Sequence, residues 1–199
     1  ESFGFHLINV LLSAFNGFLV FLLASRFTSQ RVTLGFTGKR SAFLAMILFL
    51  LLPIHSEAVS AIVGRAELLA LFFSVLSLLC VLDKRYTFAS LLLLMGLLSK
   101  ETAAGFFLVF LYFWKFQEKE SLKKIVHGLL YFVPSIVIYA VMRASVLGKY
   151  FVGVDHLMAY NPLKFAPFFH SLWTSLKVFY LYILKTVVPY QLSSDYSFN

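Results

Sequence analysis

The residues best suited to chemistry lie together between two long apolar runs. The segment 53–67 carries His55, Glu57, Arg65 and Glu67. A charged group near membrane depth loses hydration that it cannot easily replace, so such residues usually line an aqueous cavity, pair with each other or bind a ligand. This part of the chain is therefore a candidate functional site.

A second group of charged and polar residues is expected on the same side of the membrane. It comprises Lys100 and Glu101 after the fourth apolar run, Arg143 after the sixth, and Asp155 and Asn161 in the loop that follows. Arginine offers phosphate oxygens a fork of donors, lysine adds a compact charge, and a carboxylate accepts a proton from a hydroxyl or holds a divalent metal. The set fits a charged substrate. A sugar linked to a lipid phosphate would meet these requirements, because its headgroup lies at this depth.

Structural roles for the same residues remain open alternatives. Arg65 and Glu67 could snorkel at a helix end, or Glu57 could form a structural pair with Arg65. His55 could cap the helix that Pro53 interrupts. The remaining cations could anchor helices at the membrane boundary or lie in a solvated loop. The histidines and glutamates lack a His-Glu-x-x-His spacing, which disfavours a zinc protease.

The composition predicts an all-α integral membrane protein. Hydrophobic residues make up 60% of the chain and charged residues 13%, whereas soluble domains have about 25% charged residues. The apolar runs do not alternate as barrel strands do, and they predict a polytopic helical bundle of about six or seven spans in the lipid bilayer. The expected spans are residues 5–24, 41–52, 62–82, 86–98, 103–114, 125–142 and, with an amphipathic pattern that leaves its topology open, 168–188.

The charges predict the orientation of these spans. The net charge of +8 resides mainly in short loops beside the apolar runs, which is the signature of membrane orientation and argues against a nucleic-acid partner. The loop after the first span carries cations and no acid, so Arg26 is expected to be cytoplasmic, as are Lys84 and Lys119. His55, Lys100 and Asp155 would then share the opposite, extracytoplasmic side.

Several motifs resemble one known family. They are Pro-x-His-x-Glu-Ala-Val at residues 53–59, Ile-Val-Gly-Arg-Ala-Glu at 62–67, and Leu-Leu-Ser-Lys-Glu-Thr-Ala at 97–103. These motifs, with the segments 5–12, 161–162 and 192–197, resemble the transmembrane and tetratricopeptide-repeat (TPR) O-mannosyltransferases and their prokaryotic relatives.

The resemblance implies a type C glycosyltransferase (GT-C) fold. Such enzymes take a sugar, here expected to be mannose, from a polyprenyl-phosphate donor and pass it to a protein acceptor on the luminal or external side. By the resemblance, the site lies beneath the first extracytoplasmic loop and includes His55, Glu57 and Arg65, with Lys100 and Glu101 close by. Together with the charge pattern this predicts His55 and Glu57 as catalytic residues. The predicted substrate-binding residues are Arg65, Lys100, Glu101, Arg143, Asp155 and Asn161.

The resemblance also sets the expected extent of the chain. Residues 1–199 are expected to form part of the membrane core, without the first span, the acidic loop that carries the expected general base, or the TPR repeats. No cofactor is implied with certainty, and a divalent metal is left open. The compartment is expected to be the endoplasmic reticulum in a eukaryote and the plasma membrane in a prokaryote. Two alternatives stay open, a transporter or lipid-carrier flippase and a non-catalytic membrane scaffold.

Overall fold

The described part of the chain is helical throughout. The computed structural model describes residues 2–28, 38–117, 119–148 and 166–188. Within them no strand occurs, which confirms the prediction of an all-α fold. The α-helices are α1 (Ser2–Thr28), α2 (Gly38–Leu51), α3 (Ser56–Ser60), α4 (Arg65–Leu82), α5 (Tyr86–Ser99), α6 (Phe106–Tyr112), α7 (Leu122–Leu130), α8 (Val133–Leu147) and α9 (Phe168–Val187). Short 3-10 turns precede α3, α4 and α6, and a π-helical turn follows α6.

Candidate membrane spans occur in the described residues as single helices and as bent pairs. Phe3–Thr28 and Ile62–Leu82 are each long and apolar enough to cross a membrane. Gly38–Leu51 with Pro53–Ser60, and Leu122–Leu130 with Val133–Val146, qualify when each pair is taken as one span. The described residues thus hold two to four candidates by length and composition. This is below the six or seven expected, because α5 and α6 are shorter than the roughly 20 residues that cross a bilayer and α9 is not among the qualifying helices.

Proline explains both bends. The first, of 53°, follows α2 at Pro53, which lacks an N–H and cannot continue the helix. This confirms the predicted interruption directly before His55. The second bend, of 44°, divides the predicted sixth span into α7 and α8. Pro134 stands in the first turn of α8, where its ring is tolerated but would clash with the preceding turn of a continuous helix.

Helices α1 and α4 run parallel, since successive residues of α1 contact successive parts of α4. Asn9 bonds to the turn that precedes α4, and the Asn16 side-chain amide donates to the Leu68 carbonyl at 3.0 Å. Near the other end, Arg26 Nη1 lies 2.9 Å from Asp83 Oδ1. The two buried asparagines of α1 thus bond across to the α3–α4 part of the chain, as polar residues in membrane helices commonly do.

Helices α4 and α5 form an antiparallel hairpin. The Lys84 backbone has a φ of 60°, and the Arg85 N–H donates to the Cys80 carbonyl at 2.8 Å, as in a Schellman helix end. The Ser77 hydroxyl donates to the Ala89 carbonyl at 2.6 Å across the hairpin. This reversal returns the end of α5, and Lys100 after it, to the start of α4.

An aromatic core joins α6, α7 and the start of α8 to this hairpin. Phe110 and Phe132 are fully buried, with ring centroids 5.2 Å apart, and Trp114 packs beside Phe110. Ser90 on α5 and Ser135 on α8 share a buried hydrogen bond of 2.7 Å. These contacts hold α5, and with it the Lys100 segment, in place.

The described residues fall into two compact units. One lies within Glu1–Leu51 and His55–Met142, and the other within Leu52–Ile54 and Arg143–Asn199. The second unit contains α9, a helix of 20 residues that is not among the helices qualifying as spans. The first unit contains most of the predicted site.

Candidate functional site

The start of α4 brings together several polar groups in the first unit. We call this place the Arg65 end of α4, and it is defined by Arg65, Glu67, Asn9 and Lys100. The Arg26–Asp83 ion pair marks the opposite end of the same helix. Arg65 and Lys100 are therefore at the end away from Arg26, as the predicted topology requires.

The Arg65 guanidinium makes three contacts with α1. Its Nε donates to Asn9 Oδ1 at 3.3 Å and its Nη2 donates to the Phe5 carbonyl at 3.2 Å. The guanidinium carbon lies 5.1 Å from the centroid of the Phe5 ring, a distance at which a cation is attracted to an aromatic face. Nη1 has no acceptor among the described residues, so one edge of the fork remains open to a ligand.

Gly64 allows the close approach that places Arg65. A Cβ at this position would contact the Ala58 carbonyl oxygen and would lie 2.7 Å from the Ala58 carbonyl carbon and Cα. Only glycine therefore fits between α3 and the start of α4 in this geometry. The backbone of Gly64 is itself helical, with φ −61° and ψ −16°, so the requirement is steric.

Lys100 and Glu67 form an ion pair at the same end of the helix. Their side chains are 34% and 50% exposed, so solvent screens the attraction and the pair contributes little stability. An anion that binds to Lys100 would therefore replace Glu67 with only a small loss of free energy. Glu67 forms this ion pair, so it does not merely snorkel at the helix end.

His55 and Glu57 lie on the turn between α2 and α4. The His55 ring is half-buried, with its centroid 4.4 Å from that of Phe49, and its side chain does not cap α3. The Glu57 carboxylate is exposed and has no hydrogen-bond or ion-pair partner in the part of the chain that the structure describes. Among the described residues no hydrogen bond or ion pair joins Glu57 to His55 or to Arg65, so the structural Glu57–Arg65 pair left open above does not form.

The other predicted residues are placed differently. Glu101 is exposed in the 3-10 turn after α5, and Arg143 is half-buried in the second unit. Asp155 and Asn161 lie outside the described residues. Within residues 2–28, 38–117, 119–148 and 166–188, no group of three His, Cys, Asp or Glu side chains is placed to hold a metal ion.

Sequence reasoning missed the partners that hold the predicted cations. Neither Asn9 nor Phe5 was predicted to contact Arg65, and Glu67 was not predicted to pair with Lys100. An asparagine in an otherwise apolar helix was the available signal for Asn9, because a buried amide must find hydrogen-bond partners. No signal in the sequence pointed to the Phe5 carbonyl.

The fold and the site define a helical membrane protein in which Arg65 and the Lys100–Glu67 ion pair lie at the same end of α4. Over 84 residues the chain is 38% identical to the protein O-mannosyl-transferase TMTC4 of Mus musculus, covering 38% of this chain and 11% of that protein. Over 81 residues it is 43% identical to the protein O-mannosyl-transferase tmtc2 of Xenopus laevis, covering 40% and 9%. Over 73 residues it is 39% identical to the protein O-mannosyl-transferase TMTC3 of Mus musculus, covering 37% and 7%.

These matches confirm the resemblance to the protein O-mannosyltransferase family for a part of the chain. The match spans only about a tenth of the length of the curated relatives. No family model and no solved structure matches the chain. The relationship is thus established at the level of a fragment of the family.

Proposed function

We propose that this chain is part of the membrane core of a glycosyltransferase that takes mannose from a polyprenyl phosphate and transfers it to a protein hydroxyl. The relatives named as protein O-mannosyltransferases support the reaction class. A lipid-phosphate donor is proposed because guanidinium and ammonium groups such as those of Arg65 and Lys100 are suited to phosphate oxygens. In a eukaryotic cell the enzyme would act in the endoplasmic reticulum membrane, with its site on the luminal side.

The observation that carries the proposal is the Arg65 guanidinium with one edge open. Its Nε and Nη2 are fixed by Asn9 and Phe5, so the group is oriented before any ligand arrives. The free edge can donate to phosphate oxygens, to which arginine is well matched in geometry. Lys100, at the same end of the helix bundle, can add a second positive charge.

These groups have a defined part in the proposed reaction. The acceptor hydroxyl oxygen attacks the anomeric carbon with inversion, the bond from that carbon to the phosphate oxygen breaks, and the hydroxyl proton passes to a general base. Polyprenyl phosphate leaves with the electron pair, so negative charge grows on its oxygens. Arg65 stabilises that charge more in the transition state than in the bound donor, which is the condition for catalysis.

The turn residues have proposed supporting roles. Glu57 has a carboxylate free to accept a hydrogen bond or hold a divalent metal, and His55 can donate to the donor headgroup. Of the remaining predicted substrate-binding residues, Glu101 lies directly after Lys100, whereas Arg143, Asp155 and Asn161 stay predictions.

One observation favours the second candidate, a transporter or lipid-carrier flippase. Such proteins use broken helices that expose backbone groups to a substrate near the membrane midplane. The described residues contain two bent helix pairs that qualify as candidate spans, and the first bend carries His55. A transport activity must therefore be measured beside the transfer reaction.

The test uses the full-length protein in proteoliposomes with synthetic polyprenyl-phosphate mannose and an acceptor protein. Mass spectrometry follows the mannosylated acceptor, and lipid extraction follows the released polyprenyl phosphate. Arg65→Lys keeps the charge and loses the fork, and we expect about a tenfold fall in turnover for each roughly 1.4 kcal/mol of transition-state stabilisation lost. Glu57→Gln is also expected to lower turnover with little effect on folding.

Arg26→Lys is the matched control, because Arg26 has the same side chain at the opposite end of the bundle. It is expected to transfer mannose at the wild-type rate. Wild-type rates in both Arg65→Lys and Glu57→Gln would show that the turn is structural. Movement of the donor across the vesicle membrane without mannosylation would favour the flippase.

A further inference from the structure

Helix α1 carries two buried asparagines, Asn9 and Asn16, and only Asn9 is hydrogen-bonded to Arg65. Their side chains are 0% and 1% exposed, and they are seven residues apart on one helix face. The Asn16 amide donates to the Leu68 carbonyl at 3.0 Å, while its Oδ1 has no partner in the part of the chain that the structure describes. Asn16 therefore only joins α1 to α4.

Asn9 uses both ends of its amide. Its Nδ2 donates to the Ala61 carbonyl at 3.0 Å and to the Val59 carbonyl at 3.3 Å. Its Oδ1 accepts the Nε–H of Arg65 at 3.3 Å. One buried side chain thus connects the backbone of the turn before α4 to the guanidinium of the first residue of α4.

We infer that Asn9 is a positioning residue that orients Arg65 toward the phosphate of the lipid donor, an inference that rests on the proposed function. The Asn9 carbonyl oxygen and the Phe5 carbonyl accept from Nε and Nη2, so the plane of the guanidinium is fixed in two places. The Nη1 edge of Arg65 is therefore oriented before the donor binds. Because Arg65 does not have to lose side-chain freedom when the donor arrives, this preorganisation improves affinity and rate.

The same contacts explain why Asn9 acts through Arg65. Its amide is fully buried, and both polar ends are occupied by groups of the protein. Asn9 therefore has no group to offer a substrate. Its effect on the reaction must pass through the orientation of Arg65 or through the packing of α1 on α4. Asn16 contributes only to the packing, so a substitution at Asn16 serves as the control for it.

The experiment compares Asn9→Leu with Asn16→Leu in the full-length protein, each alone and combined with Arg65→Lys. Leucine has the same branched shape as asparagine, is somewhat larger, and removes all of its hydrogen bonds, and the added volume is the same at both buried positions. A misplacement of about 1 Å can cost about a hundredfold in rate, and we expect Asn9→Leu to lower kcat/KM for polyprenyl-phosphate mannose by about tenfold to a hundredfold. Asn16→Leu should change it much less.

The double variants test the coupling between residues. Residues that act through one group are not additive. Asn9→Leu should therefore add little to the loss caused by Arg65→Lys, whereas the effects of Asn16→Leu and Arg65→Lys should multiply. Equal effects of the two leucine variants, or multiplication in both double variants, would overturn the positioning role.

A second measurement needs no activity. Phenylglyoxal modifies accessible guanidinium groups, and mass spectrometry gives its rate of reaction at Arg65 in the protein without donor. Asn9→Leu should raise this rate and Asn16→Leu should not. If Asn9→Leu does not fold, Asn9→Asp keeps the acceptor oxygen for Arg65, loses the amide donors, and should leave Arg65 as protected as in the wild type.

The two readouts distinguish failure of this inference from failure of the proposed function. Wild-type transfer by Arg65→Lys would remove the catalytic role of Arg65, while the modification rates would still decide whether Asn9 holds it. Impaired transfer by Arg65→Lys, with equal modification rates in the Asn9→Leu and Asn16→Leu proteins, would overturn only the role of Asn9.

Discussion

Replacing Gly64 with alanine should displace the start of α4. The new Cβ would lie 2.7 Å from the carbonyl carbon and Cα of Ala58 and in closer contact with its carbonyl oxygen. Carbon atoms pack best at separations of about 3.5 to 4.0 Å, so the backbone must move by roughly 1 Å. The neighbouring atoms are backbone and cannot move aside by a rotamer change.

This displacement gives the size of the expected effects. Overpacking a close contact costs about 1–3 kcal/mol, and the rigid neighbour places Gly64→Ala at the upper end of this range. Because Arg65 is the next residue, the guanidinium would move with the backbone, and a shift of about 1 Å can lower the transfer rate about a hundredfold. We expect both a lower melting temperature and a loss of transfer.

Gly4→Ala is the matched control. Gly4 lies in α1, and a Cβ there would meet no atom within 4 Å. Alanine in a helix is more favourable than glycine by about 0.5–1 kcal/mol, so this variant should be at least as stable as the wild type. Thermal unfolding of detergent-solubilised full-length protein, read by size-exclusion chromatography, compares the two. Equal melting temperatures for both variants would refute the steric account of the turn.

Two further predictions concern contacts between helices. Ser135→Ala breaks the buried hydrogen bonds to Ser90 and should lower the free energy of unfolding by about 0.6 kcal/mol, the average for hydrogen bonds between membrane helices, and by no more than about 1.7 kcal/mol. Ser99→Ala loses only a bond within its own helix and should leave the free energy of unfolding nearly unchanged. The Arg26–Asp83 pair is 56% and 39% exposed, so a double-mutant cycle should give a coupling of about 0.2–1 kcal/mol. That coupling should fall in high salt, and a salt-independent value would contradict the surface ion-pair interpretation.

The sequence predicts the helical elements well where local rules decide them. Apolar runs and the interruption at Pro53 gave helices close to α1, α2, α4 and α5, because length, hydropathy and proline act locally. The division of the sixth run was missed, although Pro134 is visible in the sequence. The sequence alone does not show whether Pro134 stands in the first turn of a new helix or kinks a continuous one, because this depends on the backbone conformation of the residues before it.

The site could be predicted only as a set of residues. Charge in an apolar chain marked Arg65 and Lys100, since such charges are costly. The partners of these cations depend on which helices pack together. Asn9 lies more than 50 positions before Arg65, so their contact requires α1 to pack on α4. The Glu67–Lys100 pair likewise requires the α4–α5 hairpin. Pairings at such separations follow from tertiary packing, which periodicity and spacing do not encode.

The location of the donor phosphate decides whether the Arg65 end of α4 is the donor site. A polyprenyl-phosphate mannose analogue with a diazirine beside the phosphate would be photolysed with the full-length protein, and the labelled peptides mapped by mass spectrometry. We predict labelling at the Arg65 end of α4, on peptides that contain Phe5, Arg65 or Lys100, and competition by unlabelled donor. Labelling confined to the groove lined by Lys39 and Arg40 near the start of α2, with none at the Arg65 end, would contradict it.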